Sequence, residues 1–214
     1  MTEDEARNWL QENFTVPRET WAKLERYVAI LLNEMDEQNL IAESTRAHIW
    51  ARHIVDSAQL LIHSKAAGQG DWVDLGSGAG LPGIVVACLL ERPVLMVESR
   101  RKRIDFLNRV IADLGLKNAT IVGGRVETLP PMRAAVISAR AYAPLPKLLS
   151  SALHLSDKNS IWILPKGRNA QNELEAVRPS WQAVFHVEPS VTDADSAILI
   201  AHSVKPVAKR KGRP

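Results

Sequence analysis

Val73-Asp74-Leu75-Gly76-Ser77-Gly78-Ala79-Gly80-Leu81-Pro82-Gly83 is the stretch that decides how the rest of this 214-residue chain is read. A short apolar run of strand type, Trp72 to Leu75, leads into it, and a helix-length apolar run, Pro82 to Leu90, leads out. The segment is therefore a strand-to-helix loop punctuated by glycines. Glycines admit positive φ angles and let the backbone lie close against a bound molecule. The following helix offers unpaired N–H groups in its first turn, suited to a carboxylate or another polar group. In an open parallel sheet, ligands occupy the crevice beyond the strand ends.

Working outward, further apolar runs alternate with segments of helical length. Val94–Val97, Ala119–Val122, Ala134–Ile137 and Ser160–Leu164 read as strands, while Lys102 to Leu114 and Leu145 to Leu155 read as helices. Such alternation means βαβ units and a parallel sheet covered on both faces. Trp181 to Val187 and Ala197 to Ala201 follow each other without a helix, which predicts an antiparallel hairpin at the sheet edge. The expectation is an α/β fold with a seven-stranded, mostly parallel sheet.

Upstream, residues 1 to about 65 look helical. Leu24, Tyr27, Val28, Leu31, Leu32 and Met35 recur at three- and four-residue spacing, predicting a helix from near Arg18, with Pro17 suited to its first turn. Ser44 is a candidate N-cap for a second helical stretch through Ile49, Ile54, Val55 and Leu61. His53 and Asp56, three apart on that stretch, make only two ligands, so structural hydrogen bonding is preferred over a metal site. The organisation expected is a helical extension over 1–67, an α/β domain over 68–204, and a basic, disordered tail over 205–214.

Composition narrows the class without naming it. The chain is 46% hydrophobic and carries a net charge of +3. No apolar run approaches the roughly 20 residues of a membrane span. The acidic start, Met1 to Glu5, lacks the basic and apolar stretches of a signal peptide, so a cytoplasmic location is expected. Cys88 is the single cysteine, which excludes an internal disulfide, and its apolar setting reads as a small buried hydrophobe. Arg100, Arg101, Lys102 and Arg103 form a basic cluster, and Lys205, Lys209, Arg210, Lys211 and Arg213 make the tail basic. Basic segments attract phosphate irrespective of sequence.

Which ligand the loop takes follows from its spacing. The dinucleotide fingerprint Gly-x-Gly-x-x-Gly fails from Gly76, because the sixth position is Leu81. A frame from Gly78 to Gly83 matches formally but starts too late for a tight turn directly after the strand. The pattern Asp-x-Gly-x-Gly-x-Gly over 74–80 is similar to the first motif of S-adenosylmethionine-dependent methyltransferases with a Rossmann-like fold. Glu98, ending the next strand, is placed to accept from both ribose hydroxyls of an adenosyl group. A nicotinamide cofactor would use the same carboxylate, so Glu98 does not discriminate; the glycine spacing and terminal hairpin favour the methyltransferase.

The run Gly76 to Gly83 resembles the glucose-inhibited division protein B family, bacterial methyltransferases of small-subunit ribosomal RNA. So do Glu98-Ser99 with Lys102-Arg103 and Phe106-Leu107, Gly124 to Glu127, Ser138 to Ala141, Leu164 to Gly167, Asn39-Leu40 and His53 to Ser57. The set runs in order across roughly residues 24 to 178. Three positions depart from the commoner pattern: Ala139 stands between serine and arginine, Pro165 precedes Lys166, and Glu98 replaces aspartate.

The resemblance implies a class I methyltransferase fold and methylation of guanine N7, conventionally at position 527 of 16S ribosomal RNA, in the 30S subunit. It places Gly76, Leu81, Val126, Glu127 and Arg140 around S-adenosylmethionine, beside the loop glycines Gly78 and Gly80 and the carboxylate of Glu98. Lys102, Arg125, Arg140 and Lys166 are implied to be the positive side chains near RNA and reacting groups, with Arg140 the candidate catalytic residue. No metal site is implied, and a monomer is the default.

Guanine N7 has an in-plane lone pair and no proton, so methyl transfer needs alignment rather than a general base. Donors suit O6 and phosphate, because a donor on N7 would block the nucleophile. Three other readings remain: a methyltransferase with another RNA, protein or small-molecule acceptor, a nicotinamide-dependent oxidoreductase, and a non-catalytic ribosome-assembly factor.

Overall fold

A computed structural model describes residues 1–208 of the chain. It begins with α1 (Glu3–Asn13) and α2 (Arg18–Glu34). A capping box starts α1: the Glu5 N–H donates to the Thr2 hydroxyl, and the Thr2 N–H donates to the Glu5 carboxylate. The predicted stripe of α2 is buried at Leu24, Tyr27, Val28 and Leu31, and Pro17 is its cap residue.

The second helical stretch is not one α-helix. It comprises a 3-10 turn (Glu43–His48), a π-helical turn (Trp50–Val55), and the short helices α3 (Asp56–Ala58) and α4 (Leu60–His63). Ser44 is not its N-cap; Ala42 occupies that position and makes no side-chain capping bond. The neighbouring Thr45 hydroxyl bonds locally instead, donating to the Ala42 carbonyl. The orphan N–H groups of Trp50 and Ala51 are met from a distance by the two carboxylate oxygens of Glu3, each at 3.0 Å.

The α/β portion runs β1 (Trp72–Leu75), α5 (Gly83–Leu89), β2 (Val94–Glu98), α6 (Arg101–Leu114), β3 (Ala119–Gly123), β4 (Val136–Ser138), α7 (Leu145–Ala152), β5 (Ile161–Lys166), α8 (Ala170–Val177), β6 (Trp181–Pro189) and β7 (Ala197–Pro206). The seven strands form one sheet in the order β3-β2-β1-β4-β5-β7-β6, the last two antiparallel, as the sequence predicts. Helix α8 was not anticipated. The last strand extends two residues into the segment expected to be tail, Val207 and Ala208 follow it, and 209–214 lie outside the described residues.

Period-two alternation sorts the strand side chains onto two faces. Trp72, Val94, Met96, Val136, Ile161 and Ile163 pack with α1, α2, α5 and α6 in one core. Val73, Leu75, Val97, Ile137, Trp162 and Leu164 face α7 and α8 in the other. The N-terminal helices therefore share a core with the sheet. The strand order reverses between the parallel neighbours β1 and β4, the switch point where a crevice opens beyond the strand ends.

A buried polar chain locks that point. Trp72 Nε1 donates to Ser138 Oγ at 2.8 Å, and Ser138 Oγ donates to Asp74 Oδ1 at 2.8 Å. The Gly83 N–H donates to Asp74 Oδ2 at 3.2 Å, tying the start of α5 to β1. A Cβ on Gly83 would collide with Met96 Cγ and Sδ and come within 3.0 Å of Asp74 Oδ2. Gly83→Ala is therefore expected to lower the urea-unfolding free energy by roughly 1–3 kcal/mol. Gly68→Ala, where a Cβ meets nothing within 4 Å, serves as a near-neutral comparison in the same titration.

Candidate active site

Between Leu75 and Gly83 the chain turns on Gly76, Gly78 and Gly80, with φ of 65°, 56° and 93°. The N–H groups of Gly76 and Ser77 both donate to the Val97 carbonyl, which pins the loop across the end of β2. The glycines do different work. Gly76 borders two cavities on either side of the loop, and Gly78 borders one of them. Gly80 borders neither; a Cβ there would meet Ile84 and Leu107, so it serves helix packing.

One cavity, of about 290 Å³, is lined by Gly76, Glu98, Arg125, Val126, Glu127 and Tyr142 among others. The other, of about 350 Å³, is lined by Gly76, Gly78, Leu81, Thr45, His53 and Arg140 among others. Thus the structure gathers Gly76, Gly78, Leu81, Glu98, Val126, Glu127 and Arg140 around one divided crevice. What divides it is the loop after β4. Ala141, at φ 51°, borders both halves, and the Tyr142 ring lies 2.6 Å from where a Cβ on Gly76 would stand. Any side chain at position 76 would strike this ring.

Glu98 is 5% exposed and already well supplied with donors. Oε1 accepts from the N–H groups of Ser99 and Arg100, at 2.7 and 2.8 Å. Oε2 accepts from the Gly78 N–H at 3.0 Å, with Arg103 Nη1 at 3.9 Å. The carboxylate thus braces the glycine loop as well as facing the crevice. Asp74 lies beneath it, fully buried. Burial pushes its carboxyl up to about 6, against the opposing hydrogen bonds from Ser77, Ser138 and Gly83 and the charge of Arg140.

A third cavity, of about 690 Å³, lies on the other side of Arg140. Its walls come from the π-helical turn and α3 (Arg52, Asp56), the loop after β4 (Ala139 to Pro144), the end of β5 (Pro165 to Gly167), α8 (Glu173) and the hairpin segment (Ser190 to Ile198). Arg140 and Ala141 border both this cavity and the crevice.

The extension grips Arg140 from two directions. Its Nη2 lies 2.7 Å from His53 Nδ1, and its Nη1 lies 3.3 Å from Asp56 Oδ2. A guanidinium only donates, so His53 Nδ1 must be the acceptor. The ring proton is then on Nε2, which donates to Thr45 Oγ1 at 2.7 Å, and Thr45 in turn donates to Ala42. Arg140 Nη1 is buried and, despite its proximity to Asp56, makes no hydrogen bond. Sequence reasoning assigned His53 and Asp56 hydrogen bonding in general and could not name this partner.

The remaining cations are placed differently. Lys102 is exposed on α6 and borders no cavity named here. Arg125 is exposed at the rim of the smaller cavity, 3.6 Å from Glu127. The Lys166 side chain is only 9% exposed, and its Nζ is 2.8 Å from Glu173 Oε2, so it reaches the third cavity as half of an ion pair. Tyr142 and Glu173 escaped sequence reasoning: the first lacks a motif of its own, and the second sits on the unanticipated helix. Burial pushes the Cys88 thiol up to about 12, in keeping with its reading as a hydrophobe rather than a nucleophile.

A sheet with this strand order, a glycine loop after β1 and a carboxylate at the end of β2 define the class of Rossmann-like methyltransferases. The profile of the family described as rRNA small subunit methyltransferase G matches residues 20–198, and the chain belongs to that family. A relative of that name from Rhizorhabdus wittichii is 53% identical over 216 residues, covering 100% of this chain and 99% of its own. Another from Sphingopyxis alaskensis is 52% identical over 195 residues, covering 91% and 84%. Among solved structures, a SAM-dependent methyltransferase from Aquifex aeolicus shares the fold, with TM-score 0.57, 11% identity, and 80% and 95% of the two chains covered. A glutamate-to-glutamine point mutant of MtNAS in complex with S-adenosylmethionine does so with TM-score 0.59, 13% identity, and 85% and 74% covered.

The neutral state of His53 has a measurable signature. Burial, then Arg140, then Arg52 push it from 6.5 to about 3. Between those values the unfolded chain binds a proton that the folded chain refuses. Stability is therefore expected to fall as pH drops below 6.5 and on through about 3, with a His53 contribution approaching ~1.4 kcal/mol per pH unit. His53→Gln should remove that part of the slope in denaturant titrations across the window.

Proposed function

We propose that this chain transfers a methyl group from S-adenosylmethionine to N7 of one guanine in 16S ribosomal RNA, conventionally position 527, acting as a cytoplasmic monomer on the 30S subunit. Family membership supports the acceptor class. The observation that carries the site assignment is Arg140, held on the wall between crevice and third cavity with an unsatisfied buried Nη1.

The residues present fit the cofactor. The divided crevice offers backbone without side chains at Gly76 and Gly78, a carboxylate at Glu98 and the Arg140 guanidinium on its wall. When bound there, held by Gly76, Gly78, Leu81, Glu98, Val126, Glu127 and Arg140, the cofactor supplies an electrophilic methyl group on a sulfonium.

The chain's own residues orient and exclude. Guanine N7 needs no deprotonation, and His53 is not a free base: both its ring nitrogens are engaged, and the ring stays neutral. Arg140 is aimed by its two partners, so its guanidinium is held on the shared wall without searching rotamers. Positioning of this kind is the main catalytic contribution for a direct displacement. Exposed Lys102 and Arg125 contribute charge toward the phosphate backbone. Among the described residues no helix is long and apolar enough to cross a membrane.

Incubation with radiolabelled S-adenosylmethionine and 30S subunits lacking this methyl group should place label at N7 of a single 16S guanine. Label elsewhere, or none despite calorimetrically verified cofactor binding, would overturn the acceptor assignment. Arg140→Ala should lower kcat/KM by about 100-fold or more while the fold is retained. Lys102→Ala should weaken binding to 30S subunits and reduce the slope of log K against log salt by about 1.

A further inference from the structure

We propose that the 690 Å³ cavity receives the acceptor base and that Glu173 Oε1 reads the exocyclic N2 amino group of guanine. This rests on the reading of the chain as a guanine-N7 methyltransferase. The cavity's volume lies in the range of small-molecule and cofactor sites. It adjoins the crevice through Arg140 and Ala141, which border both. A guanine entering it must turn N7 toward that shared wall. N1–H and the N2 amino group occupy the opposite edge of the purine, so they face residues that line only the acceptor cavity.

Among the four bases, guanine alone carries the N2 amino donor, and a carboxylate oxygen is its natural acceptor. Asp56 and Glu173 are the carboxylates lining the cavity. Asp56 is committed: Oδ1 accepts from Gln59 Nε2 and Thr192 Oγ1, each at 3.0 Å, and Oδ2 faces Arg140. Glu173 is committed on one side only. Its Oε2 accepts from the Leu145 N–H and from Lys166 Nζ, both at 2.8 Å. No donor among the described residues reaches Oε1.

The two bonds to Oε2 fix the carboxylate, and its side chain remains 28% exposed. Lys166 thereby acquires a role unlike a phosphate contact: it anchors the group that selects the base. A site built to hydrogen-bond a substrate group discriminates strongly against an analogue lacking it, because its own polar group is then left unpaired.

The test compares two enzymes on two substrates. Reconstituted 30S particles carry either guanine or inosine at the target position, inosine keeping N7 and N1–H but lacking the N2 amino group. Wild type should methylate inosine roughly tenfold or more slowly in kcat/KM than guanine. Glu173→Gln, whose amide cannot supply the same charged acceptor, should lose rate on guanine and bring the guanine-to-inosine ratio close to one. Lys166→Met, which breaks the same ion pair from the other end, should lower both rates while preserving part of the ratio.

Cofactor binding by calorimetry confirms that each variant is folded. Should Glu173→Gln prove unfolded, the wild-type comparison of guanine with inosine still decides. Equal wild-type rates on the two bases, or an unchanged ratio in folded Glu173→Gln, would overturn the assignment of Glu173 while leaving the N7 reading intact. Failure of wild type to label the guanine at N7 would bring down both.

Discussion

A carboxylate with no access to water organises this molecule. Asp74 is fully buried, yet it sits where β1, β4 and α5 meet, and a bond from each neighbour converges on it. An unpaired charge there would be costly, and burial does push the group up to about 6. The Ser138 hydroxyl, aligned by the Trp72 indole, and the Gly83 N–H offset that cost by fixing the two parallel strands and the helix start in one arrangement. The glycine loop between them has little freedom left. Its backbone donors are spent on Val97, and Gly78 is tied to Glu98, so the crevice is preformed.

Upon that frame the N-terminal segment acts as a clamp. Glu3 caps the π-helical turn, the turn presents His53, and α3 presents Asp56. Both hold Arg140, which comes from the far side of the switch point. Buried Trp50 stacks on Trp21 at 5.2 Å, with the Arg7 guanidinium 4.0 Å from its ring centroid, so α1, α2 and the turn are packed as one body. The extension thus fills one face of the sheet and also determines where a catalytic candidate points.

Much of the architecture was legible from the sequence because parallel strands, buried on both sides, announce themselves as apolar runs. All seven strands and the terminal hairpin were readable, and so was the crevice, through the spacing from Asp74 to Gly80. The segment from Glu43 to His63 was not, because its hydrogen bonds depend on tertiary partners: Glu3 for the π-helical turn, and Arg140 with Thr45 for His53. Helix α8 was missed since Ala170 to Val177 is short and half polar, with only Ala170, Leu174 and Val177 buried. Tyr142 and Glu173 could not be weighed without the cavities they border. Nothing in their local sequence distinguishes them from an ordinary aromatic and a surface carboxylate.

The ion pair between Arg52 and Asp193 joins residues 141 positions apart, and beside it Gln59 and Asp56 bond to Ser190 and Thr192. During synthesis the clamp on Arg140 emerges first, the crevice next, and the segment that walls off the third cavity almost last. A nascent chain can therefore complete its sheet centre before the third cavity is enclosed. The order in which the polypeptide leaves the ribosome separates completion of the crevice from closure of the third cavity. Only the finished chain combines the two.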